Sequence, residues 1–201
     1  AMRFIHVSDL HLGRTLRERP LRDEQAAMLA AVAEAARDPS IAALVIAGDV
    51  YDRGVPPPDA VALLDGFLAG LRAARPDLAI IVVPGNHDSA ARLSFGARFF
   101  EGAGVHIRTD AASCVVPVVV EREGERAAFW PLPFLTPGCL PPDFGEPRAD
   151  ARAGAAPGEL DFGEVPPERL RSQEELCAAA LSAIARRLEP GAANILVAHC
   201  F

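Results

Sequence analysis

Seven side chains in this sequence have the chemistry of metal ligands or of acid and base catalysts, and each group of them follows an apolar run. Asp, His and Asn offer the oxygen and nitrogen atoms that bind divalent cations. The groups are Asp9 with His11, Asp49 with Asp52, Asn86 with His87, and His199. If the four runs end at the same place in the fold, these side chains predict a dinuclear metal site there.

Each group also has an ordinary explanation when it is taken alone. A short Asp-x-His sequence such as residues 9–11 arises by chance, although alternate side chains of an extended backbone could both reach one cation. Gly48 with Asp49, and Gly85 with Asn86, contain common turn residues. The repetition of these groups, in order and each after an apolar run, is what favours a metal site.

The apolar runs themselves predict buried strands. They are rich in β-branched and aliphatic residues over strand-like lengths and cover Arg3–Val7, Ile41–Ala47, Ala79–Val83 and residues 195–198. Helices are predicted between them, at residues 22–37 and after Pro58. Such alternation predicts βαβ units with parallel strands, and ligands of open α/β sheets bind at the carboxyl ends of the strands.

The pattern changes after Asn86. A short helix is predicted at residues 92–100, followed by short strands at 105–107, 114–120 and 127–132 that suggest an antiparallel second sheet on the first. Residues 131–167 are rich in Pro, Gly and Asp and predict a long surface loop. Ser172 and Glu175 form a capping-box sequence that opens a last helix, which is predicted to end at Pro190.

Composition limits the functional classes. The chain has 201 residues, of which 50% are hydrophobic, so one domain with a sizeable core is expected. A formal charge of −7 argues against a protein that coats nucleic acid through overall positive charge, but not against a nuclease. The four cysteines are far apart, which favours reduced thiols in a cytoplasmic protein. We find no signal peptide and no membrane-spanning run.

Together the motifs resemble the calcineurin-like metallophosphoesterase superfamily. The resemblance rests on Asp9-x-His11, Gly48-Asp49-x-x-Asp52, the stretch from Gly85 to Asp88, and His199. Finer detail in residues 8–13, 47–52 and 131–135 resembles the SbcD subfamily, the exonuclease subunits of bacterial SbcCD complexes. The resemblance implies an α/β fold, a four-layer α-β-β-α sandwich with two mixed β-sheets. It also implies that residues 1–201 form one metallophosphoesterase nuclease domain.

The resemblance further implies a role for each site residue. Asp9 and His11 would bind a first metal ion, and Asp49 would bridge it to a second one. The second ion would also be bound by Asn86 and His199, and both ions are expected to be Mn²⁺. His87 would act on the substrate rather than on the metals, oriented by Asp52 or, as an alternative, by Asp88.

One departure from the family pattern affects the metal site. The family has a last Gly-His-x-His motif that supplies one histidine to each metal, and no His-x-His follows His199 in these 201 residues. We therefore expect a C-terminally incomplete domain that lacks this motif, the DNA-facing cap domain and the segment that docks on the partner. Arg14, Arg17, Arg19 and Arg22 could contact a DNA backbone or form a solvated basic face.

Three functions remain open at this point. The first is a metal-dependent DNA nuclease subunit, exonuclease or endonuclease, that processes double-strand breaks or hairpins. Its implied partners are DNA, an SMC-like ATPase subunit of the SbcC type and a second copy of itself. The second is another phosphatase or phosphodiesterase of the same fold. The third is a non-catalytic DNA-binding scaffold.

Overall fold

The expected alternation of strands and helices is present. The computed structural model describes residues 2–141, 144 and 172–200. Its strands are β1 (Arg3–Val7), β2 (Thr15–Leu16), β3 (Arg19–Pro20), β4 (Ile41–Ala47), β5 (Ala79–Val83), β6 (Val105–Ile107), β7 (Val118–Arg122), β8 (Glu125–Leu132) and β9 (Ala193–Ala198). Its helices are α1 (Arg22–Ala35), α2 (Pro58–Ala74), α3 (Ala90–Leu93), α4 (Ala97–Glu101) and α5 (Gln173–Ala185), with a 3₁₀ helix at Ala111–Val115.

The first sheet carries most of the predicted site residues just beyond its strands. Its strand order is β1-β4-β5-β6, and all three described pairs are parallel. Strand β4 is buried along its whole length because it has a neighbour on both sides. Strand β1 lies at the sheet edge, and Arg3, Phe4 and His6 are exposed. The prediction of a buried first strand is therefore wrong.

The second sheet has the order β7-β8-β9. Strands β7 and β8 are antiparallel and are joined by a two-residue hairpin turn of Glu123 and Gly124, both with positive φ. Strand β9 runs parallel to β8, so this sheet is mixed. The prediction that residues 105–107 belong to the second sheet is wrong, because β6 pairs with β5 in the first one.

Three buried clusters define four layers. Leu29 of α1 and Leu64 of α2 pack with Leu44 and Ile80 on the outer face of the first sheet. Between the sheets, Val45 and Ile81 of the first sheet pack against Phe129 and Val197 of the second. On the outer face of the second sheet, Trp130 packs with Leu176 and Ile184 of α5. This arrangement confirms the predicted α-β-β-α class, with mixed strand directions confined to the second sheet.

The remaining helices agree with the prediction except in two places: the short helix after β5 is divided, and α5 ends at Ala185 and not at Pro190. The expected helix at residues 92–100 is split into α3 and α4, because Gly96 lies between them with φ of 77°. Helix α5 has the predicted capping box of Ser172 and Glu175. Most of the predicted loop at 131–167 lies outside the described residues. None of the helices in the described part combines the length and hydrophobicity needed to cross a bilayer.

Candidate metal centre

Three of the predicted ligands have an unusual backbone conformation. Asp9, His11 and Asp49 have φ of 56°, 44° and 49°, in the left-handed region that side chains with a Cβ rarely adopt. The other non-glycine residues with positive φ in the described part all lie in two-residue hairpin turns. The expectation of an extended backbone at residues 9–11 is therefore wrong. Left-handed residues cost of order 1 kcal/mol or more each, and they concentrate at functional sites.

Hydrogen bonds between the loops after β1 and β4 hold this conformation. The amide of Asp9 donates to the carbonyl of Gly48 at 3.1 Å, and the amide of His11 donates to that of Asp49 at 2.9 Å. The amide of Leu12 donates to the carbonyl of Val50 at 3.0 Å. Two loops that are distant in sequence therefore form one framework, and the strain in each is offset by pairing with the other.

Gln25 of α1 stabilises the loop after β1 through its side-chain amide. Its side chain is 8% exposed. The amide nitrogen donates to the carbonyls of His11 (2.6 Å) and Leu10 (3.4 Å), and the amide oxygen accepts from the backbone N–H of Gly13 (3.1 Å). Sequence reasoning missed this residue. The available signal is its position one turn before buried Leu29, where a polar side chain must find partners inside the protein.

Asp49 lies at the centre of the site and is only 3% exposed. The Nε2 atoms of three histidines approach its carboxylate. His11 is 3.6 Å from Oδ2, His87 is 4.0 Å from Oδ2, and His199 is 3.7 Å from Oδ1. These distances are too long for hydrogen bonds. The imidazoles thus converge on Asp49 without bonding to it.

His199 and Asn86 bring two further potential ligand atoms close to Asp49. His199 Nδ1 lies 3.0 Å from the carbonyl of Ala47. A carbonyl can only accept, so Nδ1 is the donor in this contact. That Nε2 is 3.1 Å from Asn86 Oδ1, a second acceptor. A metal-binding histidine typically donates its other N–H to a backbone carbonyl in this way.

His87 is held by Asp52, but through the backbone. His87 Nδ1 lies 3.0 Å from the main-chain carbonyl of Asp52. The Asp52 carboxylate lies instead 3.4 Å from His11 Nδ1 and 4.0 Å from the Arg14 guanidinium. The expected contact of this carboxylate with His87 is therefore not the one observed. The rings of His11 and His87 meet edge to face, with centroids 4.9 Å apart.

Asp88, the alternative partner for His87, binds backbone amides of the surrounding loops. Its carboxylate accepts backbone hydrogen bonds from Val50 (2.9 Å), Tyr51 (2.8 Å) and Gly85 (2.9 Å). Burial raises the pKa of this carboxyl group, and the three amides act in the opposite direction. Asp88 thereby joins the loops after β4 and β5, which carry Asp49 and His87.

Two glycines leave the space that the ligands occupy. A Cβ on Gly48 would lie 2.1 Å from Nδ1 of His199, and Gly48 also has φ of 88°. A Cβ on Gly85 would lie 2.1 Å from Oδ1 of Asp49. Sequence reasoning predicted a turn at Gly48, and the structure adds that the missing side chain makes room for His199.

The donor set fits divalent cations. His11, Asp49 and His87 have ligand atoms within 4.8 Å of one another, and so do Asp9, Asp49 and His199. His11 Nδ1 is buried and has no hydrogen-bond partner among the described residues. Carboxylate oxygens mixed with imidazole nitrogens suit a transition-metal ion better than Ca²⁺. Every predicted site residue reaches this edge, although Asp9 groups with His199 here and not only with His11 as expected.

Comparison with known proteins agrees with this geometry. Residues 2–138 match the family described as calcineurin-like phosphoesterase. Over 135 residues, 67% of the chain, the sequence is 36% identical to the SbcD subunit of the SbcCD nuclease of Staphylococcus saprophyticus. The match covers 35% of that relative, so the chain spans about a third of the length of the curated protein it resembles. The match over residues 2–138 establishes that this chain belongs to the calcineurin-like phosphoesterase family.

Proposed function

We propose that this phosphoesterase hydrolyses phosphodiester bonds in DNA with two divalent metal ions, as the nuclease subunit of a larger complex. The observation that carries the proposal is the convergence of imidazole, carboxylate and amide acceptors on buried Asp49. Similarity to a protein named as a nuclease subunit supports DNA over other phosphoesters. We take residues 1–201 as one metallophosphoesterase domain.

The site residues divide between the cations and the substrate. Asp49 would hold both ions, with Asp9 and His11 on one side and Asn86 and His199 on the other. The ions, which we propose to be Mn²⁺, would supply Lewis acidity that lowers the pKa of water and offsets phosphate charge.

The remaining chemistry belongs to His87 and Asp52. The Asp52 carbonyl holds Nδ1 of His87, so Nε2 is the atom available to stabilise a phosphate oxygen or to protonate the leaving oxygen. The Asp52 carboxylate lies beside Nδ1 of His11 and would position that ligand.

The biological setting follows as part of the proposal. We propose an SMC-like ATPase of the SbcC type as the partner, and double-strand breaks or hairpins as substrates. We also propose that two copies associate. Phe95 and Phe99 support this, because these two large apolar side chains, four positions apart, are 87% and 89% exposed. Light scattering should report a dimer for the unaltered chain and a monomer for Phe99→Glu.

The proposed function is tested by supplying two kinds of substrate with and without metal. The chain is incubated with labelled duplex and hairpin DNA, and separately with bis(p-nitrophenyl) phosphate, in Mn²⁺, Ca²⁺ or excess chelator. We expect cleavage of DNA in Mn²⁺, little in Ca²⁺, and none after chelation. Undiminished cleavage in chelator would contradict the proposed metal chemistry. If the chain hydrolysed bis(p-nitrophenyl) phosphate but left DNA uncleaved, a phosphodiesterase of small substrates would be favoured. If it bound DNA but hydrolysed neither substrate, the non-catalytic scaffold would be favoured.

A further inference from the structure

A pocket is lined by the segments that continue from the loops of the candidate metal centre. It encloses about 430 Å³ and is lined by Gly13 and Arg14, which follow His11 in the loop after β1. Arg53 and residues 55–57, which follow Asp52, also line it. Both segments that frame the pocket are therefore direct continuations of the loops that carry site residues.

Three arginines from separate segments reach this pocket. They are Arg14 of the first loop, Arg22 at the start of α1, and Arg53 after Asp52. Arg22 and Arg53 have no hydrogen-bond or ion-pair partner within residues 2–141, 144 and 172–200, whereas nearby Arg19 pairs with Glu24 at 2.8 Å. Asp59 is the acidic residue of the lining. The lining thus carries a local excess of positive charge on a chain whose net charge is −7.

The pocket is also formed in advance of binding. Gly13 has φ of 88°, and a Cβ there would lie 2.8 Å from the ring of Pro57, so the two segments are in close contact. Gln25 lines the pocket and binds the Gly13 amide at 3.1 Å. Because the same Gln25 binds the carbonyl of His11, the pocket and the metal loop share one support. A preformed site loses less free energy to ordering when a ligand binds.

A guanidinium group is well suited to phosphate, since its N–H groups match two phosphate oxygens. We propose that Arg14, Arg22 and Arg53 bind a second phosphate group of the substrate, next to the phosphodiester that is hydrolysed. A polynucleotide carries phosphates at regular intervals, whereas a small phosphodiester carries one. The pocket would therefore select polynucleotides. This inference rests on the proposed function and names the part of the chain that recognises its substrate.

The test compares Arg22→Gln/Arg53→Gln with Arg19→Gln as the matched control, since Arg19 is also exposed but already paired. The first readout is fluorescence anisotropy of a labelled single-stranded oligonucleotide in chelator, which requires no bound metal. We expect roughly tenfold weaker binding by the double variant. The slope of log affinity against log salt should become shallower by about 0.7, the change for one lost phosphate contact on a single strand. The control should match the unaltered chain.

The second readout is turnover in Mn²⁺ on the oligonucleotide and on bis(p-nitrophenyl) phosphate. The double variant should lose about tenfold more kcat/KM on the oligonucleotide than on the small diester. If the unaltered chain binds and cleaves DNA but the double variant keeps its affinity, salt slope and substrate ratio, the pocket proposal is wrong and the nuclease proposal stands. If the unaltered chain neither binds nor cleaves DNA, the nuclease proposal fails, and this pocket has no polynucleotide to select.

Discussion

Polar side chains cluster at both ends of the first sheet, but the two clusters differ in their ratio of hydrogen-bond donors to acceptors. At the amino ends of β4 and β5, Arg75 donates hydrogen bonds to the carbonyls of Ala36, Asp38 and Ile41 and to the carboxylate of Asp77. Arg122 donates to Asp77 and to the carbonyl of Ile41. Donors and acceptors of this cluster are matched, so it needs nothing from outside the chain.

At the carboxyl ends the acceptors are in excess. The carboxylate of Asp49 faces imidazole nitrogens at 3.6 to 4.0 Å, and Nε2 of His199 faces the amide oxygen of Asn86. No Lys or Arg pairs with Asp49 among the described residues. Among the described residues, the buried carboxylate accepts one hydrogen bond, from the backbone N–H of His87 at 2.9 Å. A buried carboxylate with so few donors is costly unless a cation joins it. Residue types alone do not separate a structural cluster from a functional one, whereas the balance of donors and acceptors does.

The largest effect is expected from removing the central charge at the carboxyl end. Asp49→Asn keeps an oxygen that can accept from the backbone N–H of His87 but loses the negative charge proposed to hold the cations. Changing a residue that only supports a ligand costs about 10- to 100-fold in metal affinity, so we expect more than about 100-fold here. Calorimetry with Mn²⁺ measures it. Asp77→Asn at the amino end is the matched control and should bind Mn²⁺ normally. Equal affinity in both variants would remove the functional distinction between the two ends.

The second prediction separates a substrate-facing histidine from a ligand at the same end. His87→Ala should keep the stoichiometry of Mn²⁺ binding and lower kcat by about 10²- to 10⁴-fold, the usual contribution of a general acid or base. His106→Ala, which removes an imidazole beside Glu101 away from the site, is the control. Calorimetry and turnover on bis(p-nitrophenyl) phosphate measure the two quantities. If His87→Ala abolished Mn²⁺ binding, His87 would be a metal ligand beside Asp49.

The third prediction compares one buried supporting side chain from each end. Gln25→Leu removes three hydrogen bonds to the loop of His11, so Mn²⁺ affinity should fall by about 10- to 100-fold. Arg75→Met leaves the buried carbonyls of Ala36 and Ile41 without their donor and should lower the free energy of unfolding by about 3 kcal/mol without changing Mn²⁺ affinity. Calorimetry and urea unfolding of both variants test this. If Arg75→Met weakened Mn²⁺ binding as much as Gln25→Leu does, the claim that only the carboxyl end supports the metal site would be wrong.

The smallest expected effect is on the free energy of unfolding at acidic pH. The hydrogen bond from Arg75 lowers the pKa of Asp77 to about 2, from a usual value of 3.8. A carboxylate with a lowered folded-state pKa stabilises the fold above its unfolded pKa, and that contribution disappears as the pH falls from about 4 to about 2. Urea unfolding at several pH values should therefore show a smaller loss over this range for Asp77→Asn than for the unaltered chain. Since Asp77 is half exposed, the difference should be modest, and parallel curves would show that this pair contributes nothing.

Local patterns in the sequence predicted much of the fold. The apolar runs and their end residues indicated the strands, and the helix between each pair of them indicated parallel pairing. The capping box at Ser172 is local as well. The assignment of β6 failed because three residues of strand carry no information about which sheet they join. The exposure of β1 was missed because edge and centre depend on strand order, which no local pattern encodes.

For the site, the sequence by itself determined which ligand types follow which strands, because those residues must lie where a parallel sheet ends. Only the tertiary structure decided how they meet. The left-handed backbone at Asp9, His11 and Asp49 exists because two loops about 40 positions apart pair with each other. The carbonyl of Asp52, and not its carboxylate, reaches His87, and Gln25 supports the loop of His11 from another element. Contacts of this kind join atoms that are distant in sequence, so their geometry is set by packing and not by any one segment.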